Sequence, residues 1–420
     1  TYQLGEGGSN RFPLEFPTDG SWDSITWRGE DSASTTLKMA DGMSGFFAMF
    51  YRSDSDPRIG NVTIKNLELD LNKQNQGDIG SHALQIDSGD GLLTMRDCVI
   101  RNTMNSTINI RDAMDQDIQY CEFYDNGDDD TAGHDINPLN DAPSTCTVKH
   151  CYFDGTAGAT WNIGNETQND YITALFEDCY VVNSPRLIKL DPENNETTMR
   201  EVYFRPADSP AFPENDGLAT NYEGNCGDII LDNVHLDGPS YGVAIDIASG
   251  TDSVPAVDTL KIRDVRVNDY ENGPRKTFGG RNGIAFEALN GASLDVDRLS
   301  IYGVGPSNNG DVLFFDSDCT GSVTDLRWGD AAALGTTGGV NVSATQGGAQ
   351  IQPTVPSASD VGVRNGDVST NEPPTAKAGA DNTVGEGDSV TLDGSNSCDP
   401  DGDTLSYSWQ QTGGETVTLE

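Results

Sequence analysis

The sequence predicts an all-β chain whose main part is a right-handed parallel β-helix of about 10–12 coils. Three observations carry this. A phrase of alternating apolar residues, broken by a polar pair, returns ten times. A second apolar stretch falls between successive copies, and Asn, Asp and Gly fill the intervals.

The phrase opens at 62–69 and recurs at 93–100, 117–123, 146–153, 175–181, 199–204, 229–236, 260–267, 294–301 and 323–328. Anchored on the apolar residue after the polar pair, the copies stand at Leu67, Cys98, Cys121, Cys151, Cys179, Val202, Val234, Val265, Leu299 and Leu326. Gaps of 23 to 34 residues separate them. Period-two alternation makes each phrase a strand. The second stretches, at 82–86, 107–110, 134–136, 161–163, 186–190, 242–247, 283–286 and 311–315, supply another strand per coil. Up-and-down barrels use shorter hairpin connections, and propeller blades need about 40 residues or more, so stacked coils fit best. The ten anchors are expected to stack inward.

Cys98, Cys121, Cys151 and Cys179 share one phase of four consecutive coils and should form a ladder about 4.8 Å per step. That spacing permits a disulfide; thiols packed as small apolar groups are the simpler expectation. The other four cysteines show no metal-ligand spacing, and cysteine usage leaves the redox compartment open.

Acidic residues number 67 against 25 basic ones, for a formal charge of −42. The acids are spread over every coil, so they are not a tail for a basic partner. Such a surface repels itself in dilute buffer and is screened at molar salt. The composition resembles that of proteins from extremely halophilic archaea. It argues against nucleic acid as a partner, because no basic patch exists to displace counterions. No apolar run is long enough to span a membrane as a helix. Five Asn-x-Ser/Thr sites, at Asn61, Asn105, Asn165, Asn195 and Asn341, fit an extracellular location. The opening Thr1-Tyr2-Gln3-Leu4 resembles the end of a phrase that begins the first coil of β-helix proteins, and implies a segment cut from a longer precursor.

The repeats end near Trp328. Residues 1–345 are assigned to the helix, 346–371 to a Pro/Ser/Asn-bearing linker and 372–420 to the second module. Leu392-Asp393-Gly394-Ser395, Asp399-Pro400-Asp401-Gly402-Asp403, Tyr407 and Trp409 resemble the signature of the PKD-type immunoglobulin-like domain. A full sandwich needs roughly twice the length present, so its last strands should be missing. The resemblance implies an extracellular spacer or adhesion module. Asp399, Asp401 and Asp403 suit Ca²⁺, while the side-chain capping of a tight turn is the simpler role for them.

Residues 1 to about 340 resemble the pectate-lyase-like superfamily. The phrase Asp70-Leu71-Asn72 is similar to that group's Asp-Gly-Asn, with Leu71 in the Gly position. The resemblance implies lyases, glycoside hydrolases, tailspikes or noncatalytic surface proteins, with polysaccharide or a cell-surface glycan as partner and self-association also open.

Scarce residue types mark the candidate site beside the second strand of coils two to six. His82, Asp87, Arg111, Asp112, His134, Asp135, Lys189 and Asp191 fall there. A β-elimination lyase needs a base, here Lys189 or Arg111, and a cation to neutralise a uronate. Asp87, Asp112, Asp135 and Asp191 would hold Ca²⁺, the one cofactor these acids suit. A hydrolase needs two carboxylates, for which Asp112 and Asp135 are candidates. Against both stands the abundance of Asp, which places carboxylates side by side on any salt-adapted surface. His134 is one of only four His, in a turn after an acidic loop. Tyr152, Tyr180 and Tyr203 each fall one residue after an anchor and are expected to point outward, to stack on sugar rings or to pack on one another across strands. A noncatalytic surface rod and a viral fibre are the alternatives to polysaccharide chemistry.

Overall fold

The computed structural model describes most of residues 22–364, with short strands at Tyr2–Leu4 and Leu14–Glu15. Segments 5–13, 16–21, 44–46, 78–79, 128–132, 140–142, 165–171, 191–193, 208–217, 221–225, 239–243, 248–256, 269–283 and 304–310, position 332, and all but scattered positions of 365–420 lie outside the described residues. The chain divides into two compact units, Thr1–Asn365 and Gly366–Glu420.

The first unit is a parallel β-helix. A short sheet of twelve strands and a long sheet of eighteen run along it, and every described strand pair is parallel. Parallel crossovers of this kind are right-handed. One coil illustrates the plan: Ser81–Ile86 in the short sheet, then Leu92–Arg96 and Val99–Arg101 in the long sheet. From Ile172–Ser184 onward the two long-sheet segments of each coil fuse into one strand.

All ten anchors point inward: Leu67 is 3% exposed and the other nine are fully buried. A second inward column, Met95–Ile118–Val148–Phe176–Met199–Leu231–Ile262–Val296–Val323, runs beside it in register. Cys98, Cys121, Cys151 and Cys179 are free, buried thiols, and burial pushes Cys179 up to about 12. They pack as small apolar groups.

The polar pair has a geometric purpose. Its second residue is left-handed in every coil: Asn66, Asp97, Tyr120, His150, Asp178, Glu201, Asn233, Asp264, Arg298 and Asp325 have φ between 47° and 60°. A left-handed residue breaks the alternation, so inward positions run Val62, Ile64, then Leu67, Leu69. Two consecutive outward residues turn the strand at a corner, and the stacked corners form a ridge along the rod. Apart from Gly, Asn and Asp adopt this conformation most readily. Tyr120, His150, Glu201 and Arg298 are held in it by the apolar columns on either side.

The segment with linker composition is docked. After the strand Asn341–Gln346, residues 347–364 run back along the ridge, against the direction in which the coils advance. Ile351 N–H donates to Ser300 Oγ, Thr354 N–H to Asn233 Oδ1, Gly362 N–H to the His150 carbonyl and Val363 N–H to Glu122 Oε1.

Candidate functional site

Register defines the outward column of the short sheet: Tyr51, Gln85, Asn109, Asn137, then Asn162 and Lys189. Its flanking residues, Leu84 and Ile86, Ile108 and Ile110, Trp161 and Ile163, Ile188 and Leu190, fill the core, so alternation turns the column outward. The four amides form a ladder. Asn162 Nδ2 donates to Asn137 Oδ1 at 2.9 Å, and Asn137 Nδ2 donates to Asn109 Oδ1 at 3.3 Å and to Ser106 Oγ at 3.2 Å. All four are more than nine-tenths buried, so this face is recessed. Sequence reasoning missed the amides; the signal was the polar residue centred in successive apolar stretches, Leu-Gln-Ile, Ile-Asn-Ile, Ile-Asn-Pro and Trp-Asn-Ile.

The residues singled out from the sequence fall in three places. Asp87 and Arg111 meet beside the ladder, Nε to Oδ1 at 3.8 Å, and Gln85 Nε2 donates to both Asp87 oxygens at 3.0 and 2.8 Å. Burial raises the Asp87 carboxyl, opposed by Gln85 and Arg111. Lys189 lies on the same face, further along the column.

Asp112 and His134 are turn residues. Asp112 accepts from the backbone of Gly89 at 3.1 Å and Ala113 at 2.8 Å, and from Arg58 at 3.1 Å. His134 sets Nδ1 against the next coil, accepting from the Ala159 N–H at 3.1 Å. His82 is buried with Nδ1 on the Ser106 carbonyl, and burial pushes it down to about 4.

Asp135 is inside. It is fully buried and accepts from Thr107 Oγ1 at 3.1 Å, Asn126 Nδ2 at 2.8 Å and Thr156 Oγ1. Burial pushes its carboxyl up to about 6, against the pull of those three donors. The expected constellation therefore separates: Arg111, Asp87 and Lys189 border the outer face, while Asp135 faces the interior between coils. Asp191, Asp399, Asp401 and Asp403 lie outside the described residues. Among the described residues, no group of three or more His, Cys, Asp and Glu has the geometry to hold a metal ion.

The tyrosines stack on each other. Tyr152 and Tyr180 lie 5.9 Å apart with planes 6° off parallel; Tyr180 and Tyr203 lie 4.5 Å apart at 13°. Tyr124, under the Arg101 guanidinium, covers one end and the edge of His235 the other. Ring faces are used internally and only edges look outward, so the column stiffens the sheet. The hydroxyls of Tyr124, Tyr152 and Tyr203 donate to Glu122, Asp154 and Asp237. Burial, then Asp154, pushes Tyr152 up to about 12.

Residues 371–420 match the PKD domain family. PKD domains are typically extracellular. The solved A-module of the Azotobacter vinelandii mannuronan C-5 epimerase AlgE6 is similar over 77% of this chain and 84% of its own, at 11% identity and a TM-score of 0.31. No curated protein sequence matches the chain. Among the described residues, no helix is long and apolar enough to cross a membrane.

Proposed function

We propose that this is an extracellular or cell-surface rod of a halophile, which meets polysaccharide by binding and not by turnover. The placement of Asp135 carries the reading. The acid the sequence offers most readily for acid–base work is spent on three bonds between coils, and His134 and Asp112 are likewise committed to backbone. What remains at the recessed face is an amide ladder bordered by Arg111, Asp87 and Lys189; Asp87 is the one carboxylate described there, and Gln85 Nε2 occupies both of its oxygens, which leaves amides and cations to hydrogen-bond hydroxyls and carboxylates. The neighbouring PKD match supports display outside the cell.

The test uses the intact chain in molar KCl with a panel of neutral and uronic-acid polysaccharides, with and without Ca²⁺. Affinity electrophoresis should show retardation on some polymers, reduced by Arg111→Ala and Lys189→Ala. Unsaturated products or new reducing ends would overturn the noncatalytic reading. Neither binding nor products would leave a structural scaffold.

A further inference from the structure

The returning segment 347–364 crosses most of the rod but is held at few points. At its start Tyr302 Oη donates to the Gly348 carbonyl at 3.0 Å and Arg327 Nη1 to that of Ala349 at 3.0 Å. Ile351, 2% exposed, is its one deeply buried apolar side chain. Gln352 Oε1 accepts from Arg266 Nη1 at 3.1 Å. Pro353 and Pro356 bring no donor, and residues 357–360 are exposed. They close their own turn, with Ser357 Oγ and N–H donating to Asp360 Oδ2 at 2.6 and 3.0 Å.

The far end is a latch. Arg364 lays its guanidinium along the Asp97 carboxylate, Nε to Oδ1 at 3.2 Å and Nη2 to Oδ2 at 3.1 Å. Its Cζ sits 3.7 Å over the Tyr120 ring, which stacks at 4.7 Å on His150, whose Nδ1 is 2.9 Å from Asp178. Gly362 (φ 88°) passes so close to Glu122 that a Cβ there would stand 2.7 Å from the carboxylate oxygen. Between the Arg327 and Asp97 corners the rod advances about 38 Å at its strand spacing. Residues 349–364, fully extended, reach about 50 Å; the 357–360 turn takes up the slack.

We propose that this segment is a strap that opens as a unit while the coils stay folded, with Arg364 as its latch. Closed, Arg364 sits beside Asp97. Open, the segment stays attached at its Trp328 end with a reach of about 50 Å. The reasoning is a contrast in attachment. Each coil shares a continuous ladder and two apolar columns with its neighbours, whereas among the described residues the strap buries one apolar side chain deeply, Ile351, and is otherwise joined by isolated hydrogen bonds and the Arg364–Asp97 pair, with no ladder. This inference does not depend on polysaccharide binding.

Hydrogen exchange on the full chain at molar KCl tests it. In the native protein the amides of Ile351, Thr354, Gly362 and Val363 should exchange much faster than those of Ile172–Ser184. Arg364→Gln should speed the Gly362 and Val363 amides by about tenfold, the scale of one charge-assisted pair, and leave Ile172–Ser184 unchanged. Gly362→Ala, which forces Glu122 aside, should reproduce the effect independently. Strap amides that exchange in step with the coils, or that ignore both substitutions, would overturn the proposal.

Discussion

Asp135 offers the sharpest separation of structure from catalysis. Its carboxyl is raised from 3.8 to about 6, chiefly by burial. A raised acid binds its proton more tightly in the folded state, so its contribution to stability is complete below pH 3.8 and is lost as pH climbs through about 6. Roughly two units at 1.36 kcal/mol each amount to about 3 kcal/mol. Asp135→Asn removes this titration and keeps a side chain of the same shape; its amide oxygen in the Oδ1 place keeps the Thr107 and Asn126 bonds, and the Thr156 hydroxyl can rotate to accept from its amide N–H. The difference in stability between native protein and variant should therefore shift by about 2.4 kcal/mol in the variant's favour between pH 4 and pH 7. Subtracting the two curves cancels what all other acids contribute. Asp135→Ala instead strands the Asn126 amide and two hydroxyls, and should cost about 2–4 kcal/mol near neutral pH. Paired melts at fixed molar KCl across that pH range measure both. A flat difference curve for Asp135→Asn would show that the carboxyl is not a buried titrating group and would reopen its use as an acid or base.

Two further outcomes follow from packing and charge. Thermal stability should rise steeply from 0.1 M to 3 M KCl, because the formal charge is −42 and screening weakens repulsion among exposed carboxylates; an unchanged melting temperature would remove the physical basis for a salt-adapted surface. Cys151→Asp should destabilise by several kcal/mol, since it buries a charge without a partner at a fully buried anchor, whereas Cys151→Val should melt within a few degrees of the native protein; a severe Val variant would show that the thiol does more than fill space.

The repeat was legible because it is written in residue type. Period-two alternation and a recurring anchor place ten inward side chains, and the structure buries each one. The polar pair was legible as polar but not as a corner, because the left-handed position accepts Asn66, Tyr120, His150 and Arg298 alike; backbone conformation there is imposed by neighbouring coils. Asp135 escaped for a related reason. It precedes the strand Ile136–Pro138, and alternation says nothing about where a turn side chain points. The strap escaped because most of its attachments are backbone N–H and C=O groups, with Ile351, Gln352 and Arg364 the side chains that join them, and these leave no periodic trace in a Pro- and Ser-bearing stretch.

Scarcity of cations explains why the candidate site came apart. Stacking coils places like positions one rung apart, and in a chain with 67 acids that means rows of facing carboxylates. The few basic side chains are threaded between them. Glu177 takes Lys149 at 2.6 Å from one side and Arg200 at 3.1 Å from the other, and Arg200 reaches on to Asp232 at 3.6 Å. Arg263 meets Asp295 at 2.6 Å and Arg298 meets Asp264 at 2.5 Å, again across neighbouring coils. Each exposed pair contributes little by itself, about 0–1 kcal/mol, but each also removes a like-charge contact between rungs. A Lys or Arg in this chain is therefore first a spacer between acids, and its rarity is no mark of chemistry. Lys189, in register with Asn162 of the amide ladder, is placed by the same stacking.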